Sequence, residues 1–223
     1  MNQEQALSLL KETKLVAILR GIPVKQATDI ATALYDGGVR VLEFTFDHDD
    51  PDCVAHNCQR IRAVKKIFGD EMAVGCGTAL TVQEVEASVE AGGQIVISPN
   101  VDVSVIAKTK ALGAISMPGA LTPTEIVMAY NAGADIVKLF PAGTLGVPYI
   151  KAVRGPLGYI PMSAVGGVRP ETIADFLNVG VCGFGVGGEL VKKEFVRSGD
   201  MNALTSRARK FVHAIEQWEA NRS

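Results

Sequence analysis

Five times along the chain a few small residues ending in glycine are followed at once by an apolar run. The stops are Asp36-Gly37-Gly38, Ala91-Gly92-Gly93, Leu112-Gly113, Ala132-Gly133 and Val179-Gly180. Glycine past a helix's last turn takes the left-handed conformation that ends it, so each stop reads as helix, turn, strand. The strands expected on this basis are residues 15–19, 39–46, 72–77, 94–98, 113–118, 135–140, 159–165 and 181–187, after a short helix over residues 2–13. Adjacent units recur at roughly 20 to 25 residues, an internal repeat of βα units. Eight units predict an α/β fold, a (β/α)8 TIM barrel with an N-terminal helix, forming one domain over residues 1–223. An open doubly wound sheet is the alternative, and eight evenly spaced units rarely stay open.

Hydrophobic residues make up 48% of the chain and aromatics 6%, so the core is built from Val, Ile, Leu and Ala, as α/β folds are. The 22 basic and 24 acidic residues form no long run of one sign, which gives no electrostatic footprint for nucleic acid or membrane. A small neutral or anionic solute is the expected partner. The N-terminus has no apolar signal region and no 18-residue apolar run occurs, so a cytoplasmic protein is expected. Cys53, Cys58, Cys76 and Cys182 match neither a zinc knuckle nor a disulfide framework and read as free thiols.

The segment 135–146, DIVKLFPAGTLG, holds the one residue that does not fit a buried strand. Alternation puts Ile136, Lys138 and Phe140 on one face and Val137 and Leu139 on the other. Both faces are apolar apart from Lys138, the pattern of a strand covered on both sides. Removing an ammonium from water favours the neutral amine, and a neutral amine attacks carbonyls. A lysine paired with one buried carboxylate, or holding a phosphate, is the plainer reading.

Barrel enzymes place their chemistry at the carboxyl ends of the strands. Gathered there are Arg20, Glu43, Thr78, Pro99, Lys138 with Phe140 beside it, and two glycine doublets, Gly166-Gly167 and Gly187-Gly188. Glu43 shares a face with Val41 and Thr45; if that face is the lumen, Glu43 points into the same space as Lys138. It then serves as acid/base, as salt-bridge partner of the lysine, or as both. Glycine doublets bind phosphate through bare backbone N–H groups, or simply make tight turns. Asp47, His48, Asp49, Asp50 and Asp52, with His56, form an acidic cluster that could hold a metal. Helix capping by Asp50 with Pro51 at the first helical position explains it more simply, so no metal site is assigned.

From LVAILRG to the eighth strand the sequence resembles the 2-keto-3-deoxy-6-phosphogluconate and 2-keto-4-hydroxyglutarate aldolases, including the 2-keto-3-deoxy-6-phosphogalactonate branch. The segment GADIVKLFPAGTLG, residues 133–146, fits that family's Schiff-base motif throughout. The resemblance implies that Lys138 forms the Schiff base, that Glu43 is the acid/base and that Arg20 and Thr78 bind anionic groups of a keto acid. It also implies phosphate binding at Gly166, Gly167, Gly187 and Gly188, no metal or organic cofactor, and a homotrimer. Three departures bear on the substrate. The chain reads EFTFD where many members carry E-V-T-L-R, which puts Asp47 in place of an arginine; it reads AVGG for P-T-G-G, which puts Val165 in place of a hydroxyl; and it reads GVGG where many end in serine, at Gly188. An aldolase of an unphosphorylated keto acid, a metal-dependent aldolase or epimerase, and a non-catalytic sugar-phosphate sensor are the alternatives.

Overall fold

The computed structural model describes residues 1–222. Its first half runs α1 (Gln3–Thr13), β1 (Leu15–Leu19), α2 (Ala27–Asp36), β2 (Val41–Thr45), α3 (Cys53–Phe68), β3 (Ala73–Gly77), α4 (Val82–Glu90) and β4 (Ile95–Ile97). The second half runs α5 (Val103–Ala111), β5 (Ile115–Met117), β6 (Gly119–Ala120), α6 (Pro123–Asn131), β7 (Val137–Leu139) and α7 (Ala142–Leu157). After these come β8 (Met162–Val165), α8 (Ile173–Asn178), β9 (Gly183–Val186), α9 (Lys193–Ser198) and α10 (Met201–Ala220). All strand pairs are parallel, in the order β5-β4-β3-β2-β1-β9-β8-β7-β6.

Nine strands stand where eight were expected because the fifth is broken. Pro118 has no N–H to donate, so the ladder stops at Met117 and resumes at Gly119. β5 pairs with β4 and β6 pairs with β7, while the Lys138 N–H donates to the Pro118 carbonyl at 2.9 Å. The two pieces are one strand in space, and through them the ring closes into the barrel. An open doubly wound sheet has no such closure.

The five glycine stops act as the sequence predicts: Gly38, Gly92, Gly113, Gly133 and Gly180 have φ of 94°, 98°, 71°, 100° and 90°. Helix starts are set by capping boxes, Asn2 with Gln5, Thr81 with Glu84 and Thr122 with Glu125. The expected cap at Asp50 is corrected. α3 begins at Cys53 behind Asp52, because Asp50 spends its side chain accepting from the Asp52 N–H at 3.0 Å and pairing with His56. The ladders are also shorter than most of the apolar runs. In the run 159–165 Tyr159 faces solvent and Pro161 offers only a carbonyl, so β8 starts at Met162.

Two apolar cores result from the alternation of faces. Leu42, Phe44, Val74, Val137, Leu139 and Phe184 face outward to the helices. Val16, Val41, Ala73, Ile95, Ile115 and Ile136 face inward and fill the lower lumen, where Ala6 and Leu10 of α1 plug its floor. Above that layer the lumen turns polar. Glu43, Lys138 and Ser163 are all buried there on the inward faces of β2, β7 and β8.

Candidate active site

A cavity of about 590 Å³ opens at the carboxyl ends of the strands. Every site residue expected from the sequence lines it: Lys138, Glu43, Arg20, Thr78, Pro99, Phe140, Gly166, Gly167, Gly187 and Gly188. Asp47 is not among them; it faces the next cleft.

Lys138 is 8% exposed. Burial lowers its pKa from the ordinary lysine value, the Glu43 charge opposes that and the Arg20 charge adds to it. Its Nζ lies 5.1 Å from the centre of the Phe140 ring, whose face favours a cation. Glu43 is raised from 4.5 to about 7, mainly by burial, against the lowering influence of Lys138 and Arg20. Its Oε2 has no hydrogen-bond partner, and no ion pair joins it to Lys138 among the described residues. The two groups thus feel each other's charge across the cavity without closing on one another. The plain salt-bridge reading requires a contact that is not made.

Sequence reasoning missed what makes room for Glu43. A Cβ at Gly77 would overlap the carboxylate, so the glycine on the inward face of β3 is the recess in which Glu43 lies. The signal was present in the GCGT segment: β2 pairs with β3 so that Glu43 meets Gly75 and Thr45 meets Gly77. Thr78 follows with φ 59°, a left-handed conformation that costs a β-branched residue energy. The surrounding loop holds it there: Glu84 accepts from the N–H groups of Leu80 and Thr81 at 2.6 and 3.0 Å and meets His48 Nε2 at 2.7 Å.

The doublet after β8 needs glycine for its backbone, with φ of 89° at Gly166 and 73° at Gly167. Its fit is close: Gly143 N–H donates to Gly166 O at 2.7 Å, and the Phe140 ring packs over Gly166. After β9, Gly187 O accepts from both Leu190 N–H and Val191 N–H at 2.8 Å. Glu189 next to it, also missed, joins the two doublets. It lies 3.6 Å from Arg169 and 3.4 Å from Arg207, and Arg207 also donates to its carbonyl at 2.8 Å.

The acidic cluster after β2 does not converge. His56 pairs with Asp50 at 2.7 Å and His48 turns to Glu84, and among the described residues no group of three or more His, Cys, Asp or Glu is placed to hold a metal. The four cysteines are free thiols. No described helix is long and apolar enough to cross a membrane.

Residues 7–207 match the model of the aldolase family described as KDPG and KHG aldolase. The chain is 37% identical to a probable 2-dehydro-3-deoxy-6-phosphogalactonate aldolase of Rhizobium meliloti over 81% of its length and 83% of the relative's. It is 35% identical to the 2-dehydro-3-deoxy-6-phosphogalactonate aldolase of Escherichia coli, covering 80% of this chain and 84% of that one. A solved structure described as native KDPGal superposes with a TM-score of 0.83 at 32% identity, covering 92% of this chain and 96% of its own. With a buried lysine and carboxylate at the mouth of a closed barrel, and relatives aligned over most of its length, the chain belongs to the KDPG and KHG aldolase family and is an aldolase, a carbon–carbon lyase.

Proposed function

We propose that the chain is a class I aldolase that cleaves a 2-keto-3-deoxy-6-phospho sugar acid, of the galactonate type, to pyruvate and glyceraldehyde 3-phosphate. The observation that carries this is the pairing of Lys138, its pKa lowered by burial, with Glu43, held at about 7 across the same cavity. The neutral amine attacks C2; loss of water from the carbinolamine gives an iminium. Glu43 takes the C4 hydroxyl proton, directly or through a water, as the C3–C4 bond breaks and its electron pair flows into the iminium. The aldehyde leaves, the enamine regains a proton at C3 from Glu43, and water releases pyruvate and Lys138. Arg20 and Thr78 hold the carboxylate, Pro99 and Phe140 wall the cavity, and the backbone N–H groups of Gly166, Gly167, Gly187 and Gly188 hold the phosphate.

The galactonate type is favoured by the two relatives of that name and by the AVGG turn, which presents Val165 to the cavity. A cytoplasmic homotrimer is part of the same reading, supported by four free thiols and by exposed apolar side chains such as Met128, Tyr130 and Tyr159. The test has two arms. Borohydride with pyruvate should trap an adduct on Lys138 that Lys138→Ala abolishes, and an adduct on another lysine would sink the mechanism. Pyruvate release from the 6-phospho-galactonate, 6-phospho-gluconate and 2-keto-4-hydroxyglutarate substrates should then rank in that order by kcat/KM. Equal values for phosphorylated and unphosphorylated acids would make the glycines turns only.

A further inference from the structure

We infer that the chain carries a second anion site, a basic cleft beside the catalytic cavity that takes a compact phosphorylated polyanion. The cleft, of about 690 Å³, lies between the loop after β1, the residues just past β2, and α9 with Val191 before it. Arg20, Lys25, Lys193 and Arg197 line it, with Asp47 as the only carboxylate of its lining. Among the described residues none of these four cations has an ion pair or a side-chain hydrogen bond. The floor is apolar: Ile22, Phe46, Val191 and Val196 are all buried. Charge–charge interactions are stronger over such a floor than in open water.

The cleft is built rather than incidental. Gln26 Nε2 donates across it to the Val196 carbonyl at 3.3 Å, and Arg60 Nε holds the loop by donating to the Ile22 carbonyl at 2.7 Å. Four cations facing one carboxylate repel one another until an anion neutralises them. A phosphoryl group carries about −1.5 to −2 charges at neutral pH, so two on one small molecule balance the excess of three. Guanidinium forks suit their oxygens. The site is distinct from the glycine doublets, yet Arg20, Val191 and Lys193 line both spaces. An occupant of the cleft therefore draws Arg20 away from the substrate carboxylate and competes with substrate without touching Lys138.

Inorganic pyrophosphate is the probe, followed by calorimetry on the whole protein. Wild type and Lys138→Ala should bind it equally, and Lys25→Gln/Arg197→Gln should bind it at least about tenfold more weakly, the loss of two charge-assisted contacts. In turnover assays pyrophosphate should raise the wild-type KM without lowering kcat, and the double variant should escape this while keeping its basal rate. Binding unchanged in the double variant, no binding by wild type, or citrate binding as tightly as pyrophosphate would each overturn the assignment. Because calorimetry on Lys138→Ala needs no turnover, failure here is separable from failure of the aldolase mechanism. A melting curve verifies that the double variant is folded.

Discussion

Glu43 titrates well above the ordinary carboxylate range because it is buried, and the sign of the consequence can be worked out. Its folded pKa of about 7 lies above the ordinary 4.5, so the folded chain holds this proton more tightly than the unfolded chain does. Its favourable contribution is complete below pH 4.5 and is lost as the pH rises through 7. Glu43→Gln keeps the shape and removes the titration. The variant should gain stability relative to wild type between about pH 5 and 8, by on the order of 3 kcal/mol, at 1.36 kcal/mol per pKa unit. Denaturant midpoints at the two ends of that range measure it, and a pH-independent difference would refute the burial argument. Lys138 acts the other way, since its lowered pKa adds stability as the pH rises above it. For that reason the comparison must be made between the Glu43 variants. The same substitution should cost turnover about 10²- to 10⁴-fold while leaving borohydride trapping intact.

Between elements, the two glycine doublets are held by a partner that lies far off in sequence. Arg207 on α10 grips Glu189 by carbonyl and carboxylate, and Glu189 reaches Arg169 beyond the other doublet. Arg207→Ala should loosen the loop after β9 and raise KM for the phosphorylated substrate several-fold with kcat within about twofold, the pattern of lost uniform binding. An equal rise for an unphosphorylated acid would show that the arginine acts on the whole cavity. This link was invisible in the sequence because it depends on α10 returning to the barrel, whereas the recess at Gly77 left a sign in GCGT that only the β2–β3 register turns into a place for Glu43. Lys138 and Glu43 were legible for a local reason: a charge in a run apolar on both faces stands out as buried, and the structure then shows that the face it shares is the lumen. The start of α3 misled for a local reason too. Asp50-Pro51 has the composition of a cap, but the Asp50 side chain is taken by His56 and the Asp52 N–H. The basic cleft required β9 to lie beside β1, which brings Gln26 and Val196 together across 170 positions.

As a whole the molecule divides its work by end. α1 and the inward apolar layer hold the floor, and the chemistry occupies the mouth. Leu10, 3% exposed in that floor, can be shortened without touching the cavity. Leu10→Ala should cost about 2 to 5 kcal/mol and lower Tm by about 2 to 4 °C per kcal/mol, while kcat/KM at 25 °C stays unchanged. A fall in kcat/KM would mean that the two ends are coupled. The break at Pro118 divides the barrel in another sense. β1, β2 and β3 are five residues each, whereas β5, β6 and β7 have three, two and three. Amide protons along the short side should therefore exchange with deuterium sooner than those between β1 and β2, and uniform protection would disprove this. Glu43 stands on the half with the longer ladders and Lys138 on the half with the shorter ones. A nucleophile must move with the carbon it attacks as that carbon changes from planar to tetrahedral and back, while a proton shuttle serves best from a fixed post. Under the proposed mechanism the seam puts the attacking group on the short ladders and the proton carrier on the long ones.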